Sequence, residues 1–307
     1  MADELELDME FDPRIGAAQA LAPGILRIVA PNPGPMTFRG TNSYVIGQDS
    51  VAVVDPGPDN ADHLAALLDA IDGRPLGAIL VTHCHLDHTG LAPRLAALTG
   101  APIWAEGPHR SARSLEEGEA NALDAAADRS LPIARRLADG EVFHLGGERF
   151  EAVATPGHVA NHMGFALPDR GILLSGDHVM GWATTLVAPP DGSMADYMAS
   201  LDKLLGRAET LYLPGHGGPV SQPHPLMRGL RAHRRMRERA IIERLAQGDE
   251  TIPAIVAAIY RQTDPRLLGA AALNVLAHLE FLAERGLAAP HGAAGLDARW
   301  QLTPREP

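Results

Sequence analysis

The chain has little cysteine, few aromatic residues and a deficit of positive charge, and each shortage limits its possible functions. Cys84 is the single cysteine among 307 residues, so no intramolecular disulfide can form. Aromatic residues make up only 4% of the chain, which leaves few side chains for stacking on nucleic-acid bases. Acidic residues outnumber basic ones by 38 to 26. Because phosphate binding needs a positive surface, a net charge of −12 disfavours general nucleic-acid binding.

Long apolar runs are also missing, although apolar residues make up 46% of the chain and can form a sizeable core. No run reaches the roughly 18 apolar residues that a membrane span needs, so we expect none. The acidic opening Met1–Glu6 lacks the basic and then apolar pattern of an export signal. We therefore expect a soluble, cytoplasmic protein with neither a membrane nor an obligate protein as its partner.

Metal-binding side chains are concentrated in the segment Thr82–Gly90, which follows an apolar run typical of a buried strand. Three imidazoles and a carboxylate within six residues can bind divalent cations, zinc above all. If the chain stays extended, His83 and His85 point the same way and can reach one metal. Asp87 and His88 follow a turn of the chain and can reach a second metal.

Three further candidate ligands each follow a predicted strand, where loops commonly carry function. His158 ends a Thr-Pro-Gly-His segment, Asp177 a Ser-Gly-Asp segment, and His216 a Pro-Gly-His segment. The glycines permit turns with positive φ and leave room beside a metal. Together the candidates complete two ligand sets. The first metal would be bound by His83, His85 and His158, the second by Asp87, His88 and His216, with Asp177 as the bridge.

Other residues near these ligands carry weaker signals. Cys84 lies between two predicted ligands of an extended segment, so its side chain should face away from the metal and pack against neighbouring residues. His162 and His178 are close in sequence to predicted ligands and could support the site. Asp55 ends a strand and could either hydrogen-bond a ligating imidazole or simply form the turn. Surface or structural roles are predicted for His63, His109, His144, His224, His278 and His291.

The strand and helix patterns predict an α/β sandwich with sheets inside and helices outside. The predicted strands are Ile25–Ala30, Asn42–Ile46, Val51–Val54, Ala78–Val81, Pro102–Ala105, Arg149–Ala154, His162–Leu167, Gly171–Leu174 and Thr210–Leu213. The predicted helices are Ala61–Ile71, Leu91–Leu98 and Ala195–Leu205. Residues 107–140 show no clear period, and we interpret them as a helical insertion or a loop near the site.

From about Pro223 the pattern changes to helices only, which predicts a catalytic domain at residues 1–222 and a second domain at 223–307. The predicted helices of the second domain are Leu226–Ala246, Ile252–Tyr260 and Leu267–Arg285. The short end Gly286–Leu302 could form a β-wing. Three helices and a wing predict a winged-helix-like module.

The ligand motifs, taken together, resemble those of the metallo-β-lactamase-fold superfamily. The matching segments are Thr82–His88, Thr155–His158, Ser175–Asp177 and Pro214–His216. The resemblance implies an αββα fold and a dinuclear zinc hydrolase, and its ligand pattern agrees with the seven residues named above. It further implies that two metal ions share a water or hydroxide whose pKa is lowered toward neutrality.

Within that mechanism, the resemblance makes Asp87 and Asp177 the catalytic carboxylates, Asp87 by orienting the nucleophile and Asp177 by bridging the metals. We expect two zinc ions per chain, and iron or manganese could replace them in a histidine-rich site. No serine or cysteine nucleophile is required.

A narrower similarity is to the lactamase-beta-2-like branch, whose C-terminal part is also winged-helix-like. The similar segments are Asn32–Thr37, Gly40–Tyr44, Gly176–Gly181, Thr184–Thr185, Asp196–Leu201 and His233–Glu238. The chain departs from that branch at residues 107–140 and 186–193, where substrate choice would be determined.

Three functions remain open from the sequence. Some members of that branch are endoribonucleases that prefer single strands, and an arginine-rich helix from Leu226 could bind phosphates. A solvated helical face paired with acidic neighbours would explain the same arginines. They are Arg228, Arg231, Arg234, Arg235, Arg237 and Arg239. The competing enzyme hydrolyses a small ester, thioester or lactone, and the non-enzymatic alternative is a nucleic-acid-binding regulator with a vestigial site.

Overall fold

Apolar strands from two parts of the chain form two sheets that pack face to face. In the computed structural model, which describes residues 5–304, the sheets have seven and five strands. In spatial order, the first contains β1 (Gln19–Ala22), β2 (Ile25–Val29), β3 (Asn42–Ile46), β4 (Val51–Val54), β5 (Leu76–Leu80), β6 (Ile103–Ala105) and β7 (Arg135–Arg136). The second contains β12 (Leu211–Pro214), β11 (Ile172–Gly176), β10 (Met163–Leu167), β9 (Glu148–Ala154) and β8 (Val142–Leu145).

Successive side chains of each strand point to opposite faces of the sheet, and this alternation divides the core into layers. Tyr44 and Ile46 of β3 face the second sheet, whereas Val45 between them faces the helices on the outer side. Helices α1 (Ala61–Ile71) and α3 (Ala92–Thr99) pack on the first sheet, and α2 (Leu86–Thr89) follows β5. Helices α4 (Met194–Leu205) and α5 (Pro223–Ala246) pack on the second sheet. The expected αββα sandwich is therefore confirmed.

The C-terminal elements enclose a core of their own around the buried Trp300. These elements are α5, α6 (Ile252–Ile259), α7 (Leu268–Glu284), β13 (Ala288–His291) and β14 (Arg299–Leu302). The three helices and the two-stranded wing agree with the expected winged-helix-like module. Helix α5 also packs on α4 through Met227 and Leu230, so it contributes to both cores. The division at residues 222 and 223 stays a prediction.

The insertion at residues 107–140 contains no α-helix. It has a 3-10 turn at Asp124–Ala126 and the short strand β7, which lengthens the edge of the first sheet. The sequence pattern also does not predict the edge strands β1 and β8. Their residues are largely half-buried or exposed and lack a clear apolar pattern. Residues 1–4, part of the acidic opening in which no export signal is expected, lie outside the described residues.

Within the described residues, the helical stretch Pro265–Glu284 is long and apolar enough to cross a membrane by length and composition. Val275, Leu276 and Leu279 of this stretch are buried in the C-terminal core. A core helix meets the same two criteria, so this finding is weak support for a membrane span.

Candidate metal centre

The seven predicted ligands come together at one edge of the sandwich. Strands β9, β11 and β12 of the second sheet run in the same direction, so the loops that follow them lie side by side. These loops carry His158, Asp177 and His216. The segment after β5 of the first sheet meets them there, because the carbonyl of Thr82 accepts a hydrogen bond from the backbone N–H of Met163.

The first ligand group consists of three imidazoles. Nδ1 of His85 lies 3.0 Å from Nε2 of His83 and 3.1 Å from Nε2 of His158. Neighbouring ligands bound at about 2.0–2.1 Å to one zinc ion would be separated by roughly 3.0–3.4 Å. Nδ1 of His85 therefore has the spacing of a shared ligand site toward both other nitrogens, and all three atoms lie within 4.8 Å of one another.

The second group consists of two imidazoles and a carboxylate. Oδ2 of Asp87 lies 3.3 Å from Nε2 of His216 and 3.5 Å from Nε2 of His88. All three candidate ligand atoms lie within 4.8 Å of one another. His83, His88 and Asp177 satisfy the same criterion, so the two groups adjoin.

Asp177 lies between the two groups. Its Oδ1 is 3.6 Å from Nε2 of His88, and its Oδ2 is 3.4 Å from Nε2 of His216. The same Oδ2 is 3.9 Å from Nε2 of His158 in the first group. Its carboxylate thus has the position that the sequence predicts for a bridge.

Hydrogen bonds on the outer side of the imidazoles determine which nitrogen is free. Nδ1 of His158 donates to the carbonyl of Leu186 at 2.7 Å, and Nδ1 of His216 donates to the carbonyl of Gly40 at 3.2 Å. When either ring is neutral, its proton is then on Nδ1, so that Nε2 can present its lone pair to a metal ion. His85 is the exception, since its Nδ1 faces the group.

Asp55 supports the centre from behind. It accepts a hydrogen bond from Nδ1 of His88 at 2.9 Å and adopts a left-handed conformation with φ of 50°. Of the two roles left open by the sequence, the structure places Asp55 behind a candidate ligand.

Two glycines leave space for side chains at the centre and directly behind it. A Cβ on Gly215 would lie 2.5 Å from Oδ1 of Asp177 and 2.6 Å from Cε1 of His88. A Cβ on Gly176, where φ is +49°, would lie 2.6 Å from Nε2 of His162. Neither position can accept a side chain without displacing the residues at the centre.

The electrostatics of the two groups differ because only the second contains carboxylates close to its imidazoles. Burial opposes protonation of His216, but the carboxylates of Asp177 and Asp87 outweigh it and raise the pKa to about 9. The pKa of His88 is raised in the same way, mainly by Asp87 and Asp177. By contrast, burial and then the neighbouring His158 lower the pKa of His85 to about 3. His85 is thus held neutral as a donor, whereas the second group carries paired charge that a cation would replace.

The residues with weaker signals take supporting positions. Nε2 of His162 accepts a hydrogen bond of 3.1 Å from the backbone N–H of Asp177, so this ring orients the bridging residue. Cys84 is buried, and its sulfur accepts a hydrogen bond of 3.1 Å from Nδ2 of Asn161. His178 is buried, its ring centroid lies 4.7 Å from that of Tyr197, and it belongs to none of the candidate ligand groups.

One buried network could not be found from the sequence. Nε2 of His109 lies 3.3 Å from Oδ2 of Asp191, with both side chains at most 1% exposed. Asp191 also accepts hydrogen bonds from Ser111 at 2.7 Å and Asn121 at 2.8 Å. The network joins the 107–140 insertion to the loop at residues 186–193, and the ring of His109 lies 6.5 Å from that of His85.

The chain matches the metallo-beta-lactamase superfamily over residues 36–216 and the beta-lactamase associated winged helix domain over residues 251–300. It therefore belongs to the metallo-beta-lactamase superfamily, and both the family resemblance and the winged-helix expectation are confirmed. The fold and the centre are those of a metallo-β-lactamase-fold hydrolase with a histidine- and aspartate-rich site able to bind divalent metal.

Two relatives show the range of similar proteins. A beta-lactamase-like protein 2 homolog from Drosophila melanogaster is 30% identical over 280 residues, which cover 89% of this chain and 92% of the relative. An atrochrysone carboxyl ACP thioesterase from Aspergillus fumigatus is 30% identical over 233 residues, which cover 75% of this chain and 67% of the relative.

Solved structures share the whole architecture. The crystal structure of a metallo-beta-lactamase family protein from Thermus thermophilus has a TM-score of 0.75 at 25% identity and covers 92% of this chain and 100% of that one. A beta-lactamase domain protein from Burkholderia ambifaria has a TM-score of 0.80 at 24% identity and covers 97% of both chains, which shows the shared fold.

Proposed function

We propose that this protein is a dinuclear metal-dependent hydrolase of thioester or ester substrates. The observation that carries the proposal is the position of Asp177. Its carboxylate lies 3.4 and 3.6 Å from two imidazoles of one ligand group and 3.9 Å from an imidazole of the other. A carboxylate between two groups of three donors is placed where it can bridge two close metal ions.

The donor atoms of the two groups are chemically suited to binding metal ions. Nε2 of His88 and Oδ1 of Asp177 are buried and have no hydrogen-bond partner among the described residues. Buried polar atoms rarely lack partners, and ligation of a cation would satisfy both. Five imidazoles and two carboxylates suit two zinc ions, and the same donors accept iron or manganese.

The chain's own residues would orient the reactants. When bound, the two metal ions would lower the pKa of a water molecule toward neutrality and polarise the carbonyl oxygen of the substrate. The side chain of Asp87 is 29% exposed, whereas those of His88 and Asp177 are 0% and 9% exposed. Asp87 is thus the ligand that faces an arriving substrate, and its carboxylate orients the attacking water.

Two observations support a thioester or ester over RNA. The Aspergillus fumigatus relative is named as a thioesterase, as is a relative from Cryptosporiopsis sp. that is 30% identical over 240 residues. The arginines of α5 mainly make intramolecular contacts: Arg231 pairs with Asp202 at 2.5 Å, and Arg237 lies over the ring of Tyr260. This supports the interpretation of the helix as a structural surface.

The proposal is tested with acyl thioesters of N-acetylcysteamine and p-nitrophenyl esters, using zinc-loaded protein and Asp177→Asn as control. We expect hydrolysis that chelator abolishes, that zinc restores, and that the control lacks. Turnover that survives both chelation and Asp177→Asn would contradict a metal-dependent mechanism. Absence of turnover on every ester and thioester would contradict the substrate class.

Single-stranded RNA is the second candidate substrate, and one observation favours it. Arg235 and Arg239 lie one helical turn apart on α5, both are exposed, and neither forms an ion pair among the described residues. Cleavage of a labelled single strand by the zinc-loaded protein would support this alternative if Asp177→Asn abolishes it and Arg235→Glu weakens it. A cytoplasmic location remains our expectation for either substrate.

A further inference from the structure

The segment at residues 185–187 supports both proposed ligand groups. The carbonyl of Leu186 accepts the hydrogen bond from Nδ1 of His158 at 2.7 Å. One residue earlier, the hydroxyl of Thr185 donates to the backbone carbonyl of Asp177 at 2.7 Å. The position of this segment therefore affects a ligand of the first group and the carboxylate that lies between the groups.

Two side chains of the C-terminal helices hold the segment by its backbone. Oδ1 of Asn274, on α7, accepts a hydrogen bond from the backbone N–H of Val187 at 3.2 Å. Arg234, on α5, donates to the carbonyl of Thr185 and, at 3.3 Å, to Oδ1 of Asn274. The segment is thus held on both sides of the carbonyl that orients His158.

These contacts are shielded from water. Thr185, Val187 and Arg234 are buried, and Asn274 is half-buried. A buried N–H or carbonyl that loses its partner stays unsatisfied, because water does not readily take the partner's place. Loss of either side chain would therefore favour a shift of the segment toward other partners.

The charge of Arg234 is buried without an opposite charge beside it. Within residues 5–304, its guanidinium forms no ion pair, and it lies 4.9 Å from the ring centroid of Tyr197. Buried charges are usually paired or bound to an ion. Here the hydrogen bonds of the guanidinium go instead to Thr185 and Asn274, so its position is coupled to that of the segment.

An apolar contact joins α7 to the same segment beside these polar ones. Leu273, next to Asn274 in sequence, packs with Leu186 and Ala188 in one apolar cluster. Helix α7 lies within the part of the chain that matches the winged helix domain. The C-terminal domain therefore reaches the residues that support the proposed ligands.

We propose that Asn274 and Arg234 are positioning residues of the metal centre, which act on His158 and Asp177 through segment 185–187. The inference rests on the proposed function and deepens it. It assigns to the winged helix domain a part in the metal affinity of a centre whose seven ligands all lie outside that domain.

The test removes the acceptor oxygen of Asn274 and retains it in a matched variant. Asn274→Leu keeps the approximate size of the side chain but leaves the N–H of Val187 without its acceptor. Asn274→Asp keeps the oxygen atom that both hydrogen bonds use. Asn274→Ala removes the same acceptor without adding apolar bulk and replaces the leucine variant if that protein does not fold.

Competition with a chromogenic chelator measures the zinc affinity of each folded variant. We expect Asn274→Leu and Asn274→Ala to bind zinc about tenfold more weakly than wild type, and Asn274→Asp to bind as wild type does. The visible absorption of cobalt-loaded protein reports the geometry of the ligands. It should change in the two variants that lack the acceptor and stay unchanged in Asn274→Asp.

A destabilising change elsewhere on α7 separates positioning from stability. Leu279→Ala opens a cavity in the C-terminal core, where Leu279 is fully buried, and should lower the denaturation midpoint without changing zinc affinity. Equal losses of affinity in Leu279→Ala and Asn274→Leu would overturn the positioning role and leave the proposed hydrolase intact. The same holds for wild-type affinity and absorption in both variants without the acceptor. Wild-type protein that binds no zinc would instead contradict the proposed function, and the inference with it.

Discussion

Oδ2 of Asp55 accepts a hydrogen bond from Nδ1 of His88 at 2.9 Å, across 33 positions of the chain. The same carboxylate accepts hydrogen bonds from the backbone N–H of Thr82 at 2.8 Å and from its hydroxyl at 2.7 Å. That hydroxyl accepts in turn from Nδ1 of His83 at 3.0 Å. A single buried carboxylate therefore orients one imidazole from each proposed ligand group.

Asp55→Asn should weaken zinc binding about 10- to 100-fold, because the outer partner of a ligating histidine determines its orientation and basicity. Asparagine tolerates the left-handed conformation at this position, where φ is 50°, so the backbone should be preserved. Competition with a chromogenic chelator measures the affinity. The matched control is Asp59→Asn, whose side chain is 68% exposed. Equal affinities of the two variants would show that Asp55 does not support a metal ligand.

Gly215→Ala should reduce the metal content of the protein. The added Cβ would lie 2.5 Å from Oδ1 of Asp177, which must then leave the position between the two groups. Gly269→Ala is the control, because a Cβ there has no neighbour within 4 Å. Metal analysis and circular dichroism of both variants check the prediction. A Gly215→Ala protein that retains full metal content would contradict the close packing around Asp177.

The metal-free protein should lose stability as the pH falls below about 6.5, and His278 should contribute to that loss. Burial and then the nearby Arg234 lower the pKa of His278 from 6.5 to about 3. The unfolded chain therefore binds a proton below pH 6.5 that the folded chain excludes. Stability from this group is complete above pH 6.5 and is lost as the pH falls toward 3.

His278→Leu should remove this contribution. The loss of unfolding free energy between pH 7.5 and pH 5 should then be smaller than in wild type by up to about 2 kcal/mol. Urea denaturation in the presence of chelator at the two pH values measures it. His291→Leu, at an exposed position, should show the pH dependence of wild type. If His278→Leu loses as much stability as wild type over this pH range, then the exclusion of a proton from His278 does not cause the loss.

Arg234→Met should destabilise the protein by about 1.5–3 kcal/mol, because it removes hydrogen bonds made by a buried charged group. The guanidinium donates to the carbonyl of Thr185 and to Oδ1 of Asn274, and it lies 4.9 Å from the ring centroid of Tyr197. Arg235→Met, on the exposed side of the same helix, should change stability by less than about 0.5 kcal/mol. Similar denaturation midpoints for the two variants would refute the structural role of Arg234.

The residues that the structure brings together as candidate ligands could be named from the sequence because each has a local signal. Four ligands lie within Thr82–Gly90, and His158, Asp177 and His216 each follow a strand and a glycine. The resemblance to a known family strengthened the grouping into two sets. The buried strands of the sandwich were predictable for the same reason, since their apolar runs are local.

The supporting contacts could not be predicted, because they join residues that are distant in sequence. The acceptors for His158 and His216 are the backbone carbonyls of Leu186 and Gly40, and every residue carries such a group. The pairing of His109 with Asp191 depends on how the irregular insertion packs. The hydrophobic periodicity could not predict the conformation of residues 107–140, because ion pairs and loop contacts hold this segment in place rather than an apolar face.

The metal content of the protein, purified without chelator and measured by inductively coupled plasma mass spectrometry, tests the dinuclear centre directly. Two ligand groups with a shared carboxylate predict about two zinc, iron or manganese ions per chain. Removal of the metal by dialysis against chelator, followed by zinc titration, should restore the same number. A folded protein that binds no metal in either measurement would contradict a dinuclear metal centre.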